Sequence, residues 1–218
     1  MSASLRSNPQ ALIRWVGDMS RNRKPGNFSE LQKLVSEGIN FLRFSSAELA
    51  DLSYQIARAD PRRSGRFVAQ IASELDRRNA WTSVVDGLSP SEVCACLWAC
   101  VKCSHPAHLS QNFSAFFDSS DLTPRHITSA AWALSEMQQF DLIPSADSLM
   151  KRLRFDDCKG SDLAQLSVVV SEIGEISDVL KLAKIICKWK SGDRALSEGD
   201  LVVFGTSFAG WIKKEFQH

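Results

Sequence analysis

The chain has 218 residues, of which 44% are hydrophobic, and its formal net charge is +1. This composition is sufficient for a packed core, and no apolar run approaches the roughly 18 residues that a membrane span requires, so no membrane span is predicted. Six cysteines without regular spacing argue against a disulfide framework and favour a reducing compartment.

Residues 1–27 form a basic N-terminal segment. Residues 1–17 contain Arg6 and Arg14 but no acid, and residues 1–43 carry seven Lys or Arg against three acids. The composition is typical of a mitochondrial targeting segment. The alternative is an ordinary helix, or anchor, that packs on the first repeat. The apolar face of such a helix would consist of Leu5, Leu12, Ile13, Trp15 and Val16.

Two stretches of the following chain, 88–99 and 122–133, share one pattern. Each opens with Leu, then Ser or Thr, then Pro; an aliphatic residue follows five positions after the Leu and a Trp ten positions after it. A hydroxyl N-cap and an early Pro are typical of a helix start. The aliphatic residue and the Trp return to nearly the same helix face, which predicts that Trp98 and Trp132 are core residues rather than stacking platforms for bases.

Weaker copies of the pattern begin at Phe44, Cys158 and Leu196. The five starts at 44, 88, 122, 158 and 196 are 44, 34, 36 and 38 residues apart, which fits one helix pair per repeat. We call the helix at each start a first helix. Second helices are predicted at 62–77, 109–117, 145–153 and 177–189, and strand signals are nearly absent. The predicted fold is all-α, an α-solenoid of about five helix-hairpin repeats over residues 28–218.

Potential metal ligands crowd into residues 94–108. Cys96, Cys100 and Cys103 share one helix face, so a zinc site of three Cys and one His is geometrically feasible. Small thiols that pack like Ala or Val are the preferred alternative. The sequence contains no nucleophile elbow, triad signature or Gly-rich phosphate loop, so we expect no catalytic residue, metal, cofactor or small-molecule substrate. The potential ligands are Cys94, Cys96, Cys100, Cys103, His105 and His108.

Basic residues lie mostly on or beside the second helices. At the polar positions that open the first helices acids dominate, and Arg125 is the one permanent cation, so that surface should bind free RNA weakly. A solvated face is the alternative for any single basic cluster, whereas several clusters on one side favour RNA. The predicted RNA-binding residues are Arg21, Arg23, Lys24, Arg62, Arg63, Arg66, Arg125, Lys151, Arg152, Arg154, Lys181, Lys184 and Lys188.

Residues 97–102 read Leu-Trp-Ala-Cys-Val-Lys, and residues 131–136 follow the same pattern as Ala-Trp-Ala-Leu-Ser-Glu. With the Leu-Ser/Thr-Pro openings, these stretches make the chain resemble the octotricopeptide and heptatricopeptide helical-repeat proteins, which are related to the repeat region of FAST-kinase-like and RAP organellar RNA-binding proteins. The resemblance implies an α-solenoid that acts on organellar RNA without catalysis. It also implies the mitochondrial matrix as the location, with the plastid as the alternative.

Five repeats address only a few nucleotides, which is too few to select one transcript without partners. The sequence therefore predicts a non-catalytic subunit of an organellar ribonucleoprotein, most simply a mitochondrial ribosome component that contacts rRNA and neighbouring proteins. A free RNA maturation or stability factor is one alternative. A protein-only scaffold subunit of a mitochondrial complex is another.

Overall fold

The computed structural model describes residues 8–22, 29–30, 33, 39–82, 87–104, 109–190 and 196–215. Over these ranges the protein is all-helical, and no strand occurs in them. None of the helices in the described ranges is long and apolar enough to cross a membrane. The α-helices are α1 Pro9–Asn22, α2 Ser46–Ala59, α3 Pro61–Arg77, α4 Pro90–Lys102, α5 Pro124–Glu136, α6 Ala146–Arg152, α7 Gly160–Ile173, α8 Ile176–Lys190 and α9 Glu198–Glu215.

The predicted first helices are α2, α4, α5, α7 and α9, and each begins two residues after its predicted start. The local chemistry explains this agreement. The hydroxyl groups of Ser45, Ser89, Thr123 and Ser197 accept hydrogen bonds from backbone N–H groups three residues on. Four first helices therefore begin at a side chain that satisfies a backbone donor left open at the helix end.

The aliphatic residue five positions after each start is buried in four of the five first helices. Leu49, Val93, Ile127 and Leu163 are at most 3% exposed. Leu201 of α9 is 40% exposed, so the prediction that this face is buried is wrong there. The cause is that neighbouring helices cover this face of the other first helices, whereas this face of α9 remains open.

Three second helices are α-helical: α3, α6 and α8 fall within one residue of the predicted ranges. The fourth, predicted at 109–117, is instead a 3-10 helix, Gln111–Asp118. Phe113, Phe116 and Phe117 are buried in it. A 3-10 helix repeats every three residues, so it aligns Phe113 with Phe116, whose ring centroids are 5.5 Å apart.

The chain divides into two compact units between Phe116 and Phe117. In the first unit α2 packs between α1 and α4, and α3 packs on α2 and α4. Leu12 and Val16 of α1 are fully buried, and the Gln10 amide donates a hydrogen bond to Glu48 of α2 at 2.8 Å. The described part of the basic N-terminal segment therefore folds as an integral helix of this unit, and its targeting role stays a prediction.

In the second unit α7 packs between α5 and α9, and it also contacts α6 and α8. Neighbouring first helices touch at matching repeat positions. Ser129 of α5 donates a hydrogen bond to Gln165 of α7 at 3.0 Å, and both lie seven residues after their starts. In the first unit Tyr54 and Trp98 pack together, and both lie ten residues after their starts. Within each unit, these contacts join neighbouring first helices at matching positions of the pattern.

Candidate nucleic-acid interface

The α8 helix presents a row of lysines along its exposed side. Val179, Leu182 and Ile186 are buried, and their spacing of three and four residues defines one helix face. The other side carries lysines together with Leu180, which is 53% exposed, and a shallow groove of about 510 Å³ lined by these residues runs along the helix. The exposed lysines that line this groove are Lys181, Lys184 and Lys188.

Asp147 of α6 joins two of the predicted RNA-binding lysines. Lys181 donates to Asp147 Oδ1 at 2.7 Å, and Lys151 of α6 donates to Asp147 Oδ2. Hydrogen bonds from Lys151 and then Lys181 lower the pKa of Asp147 to about 2, and the same contact raises the pKa of Lys151. One carboxylate thus holds two lysines of adjacent second helices together at the surface, so α6 and α8 present their cations as one patch.

Two further cations lie at the end of α6 and directly after it. The Arg152 guanidinium donates to Asp118 at 3.3 Å, and Arg154 is exposed. Six predicted residues of the second unit therefore lie on or directly after α6 and on α8, and Asp147 joins two of them, Lys151 and Lys181. We call the six the α6–α8 cluster. Its members are Lys151, Arg152, Arg154, Lys181, Lys184 and Lys188.

A second basic group, the α3 cluster, consists of Arg62, Arg63 and Arg66. All three side chains are exposed. They lie in the first two turns of α3, where Asp60 is the N-cap and the first turn contains no acid. Cations at a helix N-terminus oppose the helix dipole and cost roughly 0.3–1 kcal/mol each. Arg63 pairs with the N-cap Asp60 at 3.7 Å. The helix dipole does not explain Arg62 and Arg66, whose exposure is compatible with a binding role.

The remaining predicted residues lie apart from these clusters. Arg21 of α1 is paired with Asp18 at 2.8 Å, so part of its charge is neutralised within one helix. Arg125 is exposed at the start of α5. Arg23 and Lys24 lie outside the described residues.

Two other arginines, Arg77 at the end of α3 and Arg78 directly after it, have a structural role. Arg77 and Arg78 both bind Glu74 at 2.8 Å, and hydrogen bonds from Arg77 and then Arg78 lower the pKa of Glu74 to about 2. Arg78 also donates to the carbonyl oxygens of Phe41 and Phe44, each at 2.7 Å. Arg78 thus anchors the segment before α2, and sequence alone does not separate it from the exposed arginines.

The acids that open the first helices are helix caps. Glu48 and Glu92 accept the backbone N–H groups of Ser45 and Ser89 at 2.9 and 2.7 Å. In α5 the corresponding residue is His126, which accepts the Thr123 N–H. The capping-box spacing Ser-x-x-Glu is the sequence signal for this role. These side chains are therefore engaged with their own helix and are not arranged to read bases.

The two tryptophans that share one position of the pattern are not fully buried: Trp98 and Trp132 are half-buried. The Trp98 ring lies 5.3 Å from that of Tyr54, and Arg58 lies over the Tyr54 ring at 5.6 Å. Because these groups already contact one another, they serve first to join α2 and α4 and do not form an open platform for bases.

Three of the four cysteines of α4 and the adjacent turn lie in the core, and Cys94 is half-buried. Cys96, Cys100 and Cys103 are buried. Burial raises the pKa of Cys103 to about 11, and contact with Cys96 together with burial raises that of Cys100. Thiols with raised pKa values are poor nucleophiles at neutral pH. No potential ligands gather into a metal site within the described ranges, and the ligand candidates His105 and His108 lie outside them.

Comparison of the chain with protein-family models, curated proteins and solved structures finds no match. The family resemblance therefore rests on residues 88–102 and 122–136 alone. The structure adds the positions of the helices and the grouping of the basic side chains.

Proposed function

We propose that this protein is a non-catalytic helical-repeat subunit of an organellar ribonucleoprotein, which binds the backbone of structured RNA through the exposed side of its second helices. The observation that carries the proposal is the α6–α8 cluster, where two adjacent helices hold five exposed cations, two of them joined by Asp147, and Arg154 follows α6. Phosphate neutralisation supplies most of the affinity of proteins for nucleic acid, and it requires grouped cations of this kind.

The repeat architecture supports the first part of the proposal. Five first helices begin at equivalent positions of the sequence pattern, and neighbouring first helices within each unit touch at matching positions. A second helix follows four of them. These features are typical of an α-solenoid of helix-hairpin repeats, and we take the chain to be one with about five repeats.

Backbone binding is favoured over the reading of single bases. Lysine is a compact point charge that contacts phosphate without the planar geometry of a base contact. The polar residues that open the first helices are occupied by capping. A subunit of a mitochondrial ribosome, which contacts rRNA and neighbouring proteins, fits this better than a free sequence-specific factor. The organelle itself is proposed from the family resemblance and the basic N-terminal segment.

The binding surface is tested with the purified full chain and a fluorescent RNA hairpin. The double variant Lys184→Ala/Lys188→Ala should bind more weakly, and the slope of log affinity against log salt should fall by about 1.5, because each phosphate contact contributes about 0.7–0.9. The control Lys102→Ala/Lys159→Ala removes two exposed lysines outside the cluster and should keep the original slope. Equal losses in both double variants would contradict the assignment.

The assembly is tested by sedimentation of organelle lysate, with and without ribonuclease, following the tagged protein by blot. Co-migration with a ribosomal subunit that collapses under ribonuclease is the expected result. Migration near the monomer would favour the free RNA factor. A complex that resists ribonuclease would favour the protein-only scaffold.

A further inference from the structure

The α9 helix carries an exposed apolar stripe. Leu201, Val202 and Ile212 are 40%, 64% and 51% exposed. Gly205 lies between them, and a Cβ atom placed on it would meet no other atom within 4 Å. Contiguous exposed apolar surface on a protein commonly marks a contact with another protein. We call the four residues Leu201, Gly205, Phe208 and Ile212 the α9 stripe. Phe208 is half-buried in it, and Val202 lies beside it.

The same side of the other first helices is covered. The residues of α7 equivalent to Leu201 and Gly205 are Leu163 and Ser167, and neither is exposed. The α9 stripe is thus the side on which a first helix is normally covered by other helices, and here it is open.

The spacing of the residues in the α9 stripe indicates what kind of helix binds to it. Residues 201, 205, 208 and 212 follow intervals of four, three and four, which is the seam of a coiled coil. If two copies of α9 pair antiparallel about their middle, Gly205 lies opposite the partner's Phe208, and Leu201 lies opposite the partner's Ile212. A small residue thus meets a large one. Parallel pairing would place glycine against glycine and phenylalanine against phenylalanine.

Charge agrees with the antiparallel arrangement. The stripe contains no charged residue, and Glu198 and Lys213, both exposed, flank it on the same side at opposite ends of α9. Antiparallel pairing brings Lys213 near the partner's Glu198, whereas parallel pairing leaves these two residues at opposite ends of the contact. Head-to-tail stacking of α9 on the outer side of α1 is disfavoured, because exposed Arg14 and Asp18 lie there.

We propose that this protein forms a two-fold dimer by antiparallel pairing of the α9 stripes of two copies. The contact is isologous, since the same surface is used on both copies, and it therefore closes at two. The inference rests on α9 alone and does not depend on RNA binding.

The first test is sedimentation equilibrium of the full chain from about 1 to about 100 µM, the range of a modest protein–protein affinity. We expect reversible association from 24.2 kDa to twice that mass. Leu201→Glu should weaken association by about tenfold or more. Gly210→Glu adds the same charge on the opposite side of α9, where an added Cβ meets nothing, and should leave association unchanged. A monomer at every concentration, or equal effects of both variants, would overturn the proposal.

A second test fixes the orientation, in a Cys187→Ser background because Cys187 is the exposed native thiol in the described ranges. Leu201→Cys and Ile212→Cys proteins are mixed and mildly oxidised. A disulfide between the two different variants is expected. Disulfides formed only within each variant alone would indicate parallel pairing and overturn the antiparallel dimer. Heating followed by circular dichroism checks that each variant is folded, and the Gly210→Glu protein serves as the reference.

Discussion

Protonation of His126 should weaken the start of α5 and make the stability of the protein depend on pH. The Nδ1 atom of His126 accepts the Thr123 backbone N–H at 3.3 Å. A protonated imidazole has no acceptor left, and it places a positive charge at the positive end of the helix dipole. Partial burial, and then the charge of Arg125, lower the pKa of His126 below its ordinary value of 6.5.

The direction of the effect follows from the two pKa values. Between them the unfolded chain binds the proton more readily than the folded chain, so acid favours unfolding. The stabilisation is complete above pH 6.5 and is lost as the pH falls through the lowered pKa of His126. The cap bond contributes about 0.5–1.5 kcal/mol, and the dipole interaction about 0.3–1 kcal/mol. We therefore expect a loss of about 1–2 kcal/mol in the free energy of unfolding, or several degrees in Tm.

The variant His126→Glu provides the matched comparison, because α2 and α4 carry Glu48 and Glu92 at the same position. The backbone hydrogen bond from Ser45 lowers the pKa of Glu48, so a glutamate there stays ionised when a histidine would become protonated. Urea unfolding of both proteins is measured from about pH 7 to about pH 5. The difference in stability between variant and natural protein should widen as the pH falls. A constant difference would refute the role of His126.

Two further predictions concern the core and the basic surface. Leu163→Ala should reduce the free energy of unfolding by about 2–5 kcal/mol, because Leu163 is buried. Leu201→Ala should reduce it by less than about 1 kcal/mol, because Leu201 is 40% exposed. Similar losses for the two variants in urea unfolding would contradict this. Asp147→Asn should strengthen RNA binding and steepen the salt slope by about 1–2, because it releases Lys151 and Lys181 for phosphates. Fluorescence anisotropy at several salt concentrations checks it, and weaker binding would count against the α6–α8 cluster.

The starts of the first helices could be predicted from sequence to the residue, because local chemistry decides where a helix begins. A hydroxyl cap and an early proline act within three or four residues. Both occur in α4 and α5, and α2 and α9 have the hydroxyl cap alone. The second helix at 109–117 shows where local reasoning fails. Its periodicity predicts an apolar face, but residues three apart share a face in both an α-helix and a 3-10 helix. In the 3-10 helix that forms, the rings of Phe113 and Phe116 pack together.

The identity of the candidate binding residues could be predicted, but their pairing could not. Lys181 contacts Asp147 across 34 residues of sequence, and Arg78 contacts the carbonyl of Phe41 across 37. No periodic pattern encodes such contacts, which arise only when helices pack. A list of basic residues therefore contains both exposed cations, such as Lys184, and structural ones, such as Arg78.

Leu163 and Leu201 show the same limit most directly. They are the same residue type at the same position of the pattern, yet one is fully buried and the other is 40% exposed. An amphipathic pattern states that a helix face will be covered, but it does not state which element covers it. For α7 the cover belongs to the same unit. For α9 the face stays open among the described residues, so its apolar character requires another explanation. The proposed pairing with a second copy of the α9 stripe would explain it, because a large residue then faces a small one and Lys213 lies near the partner's Glu198.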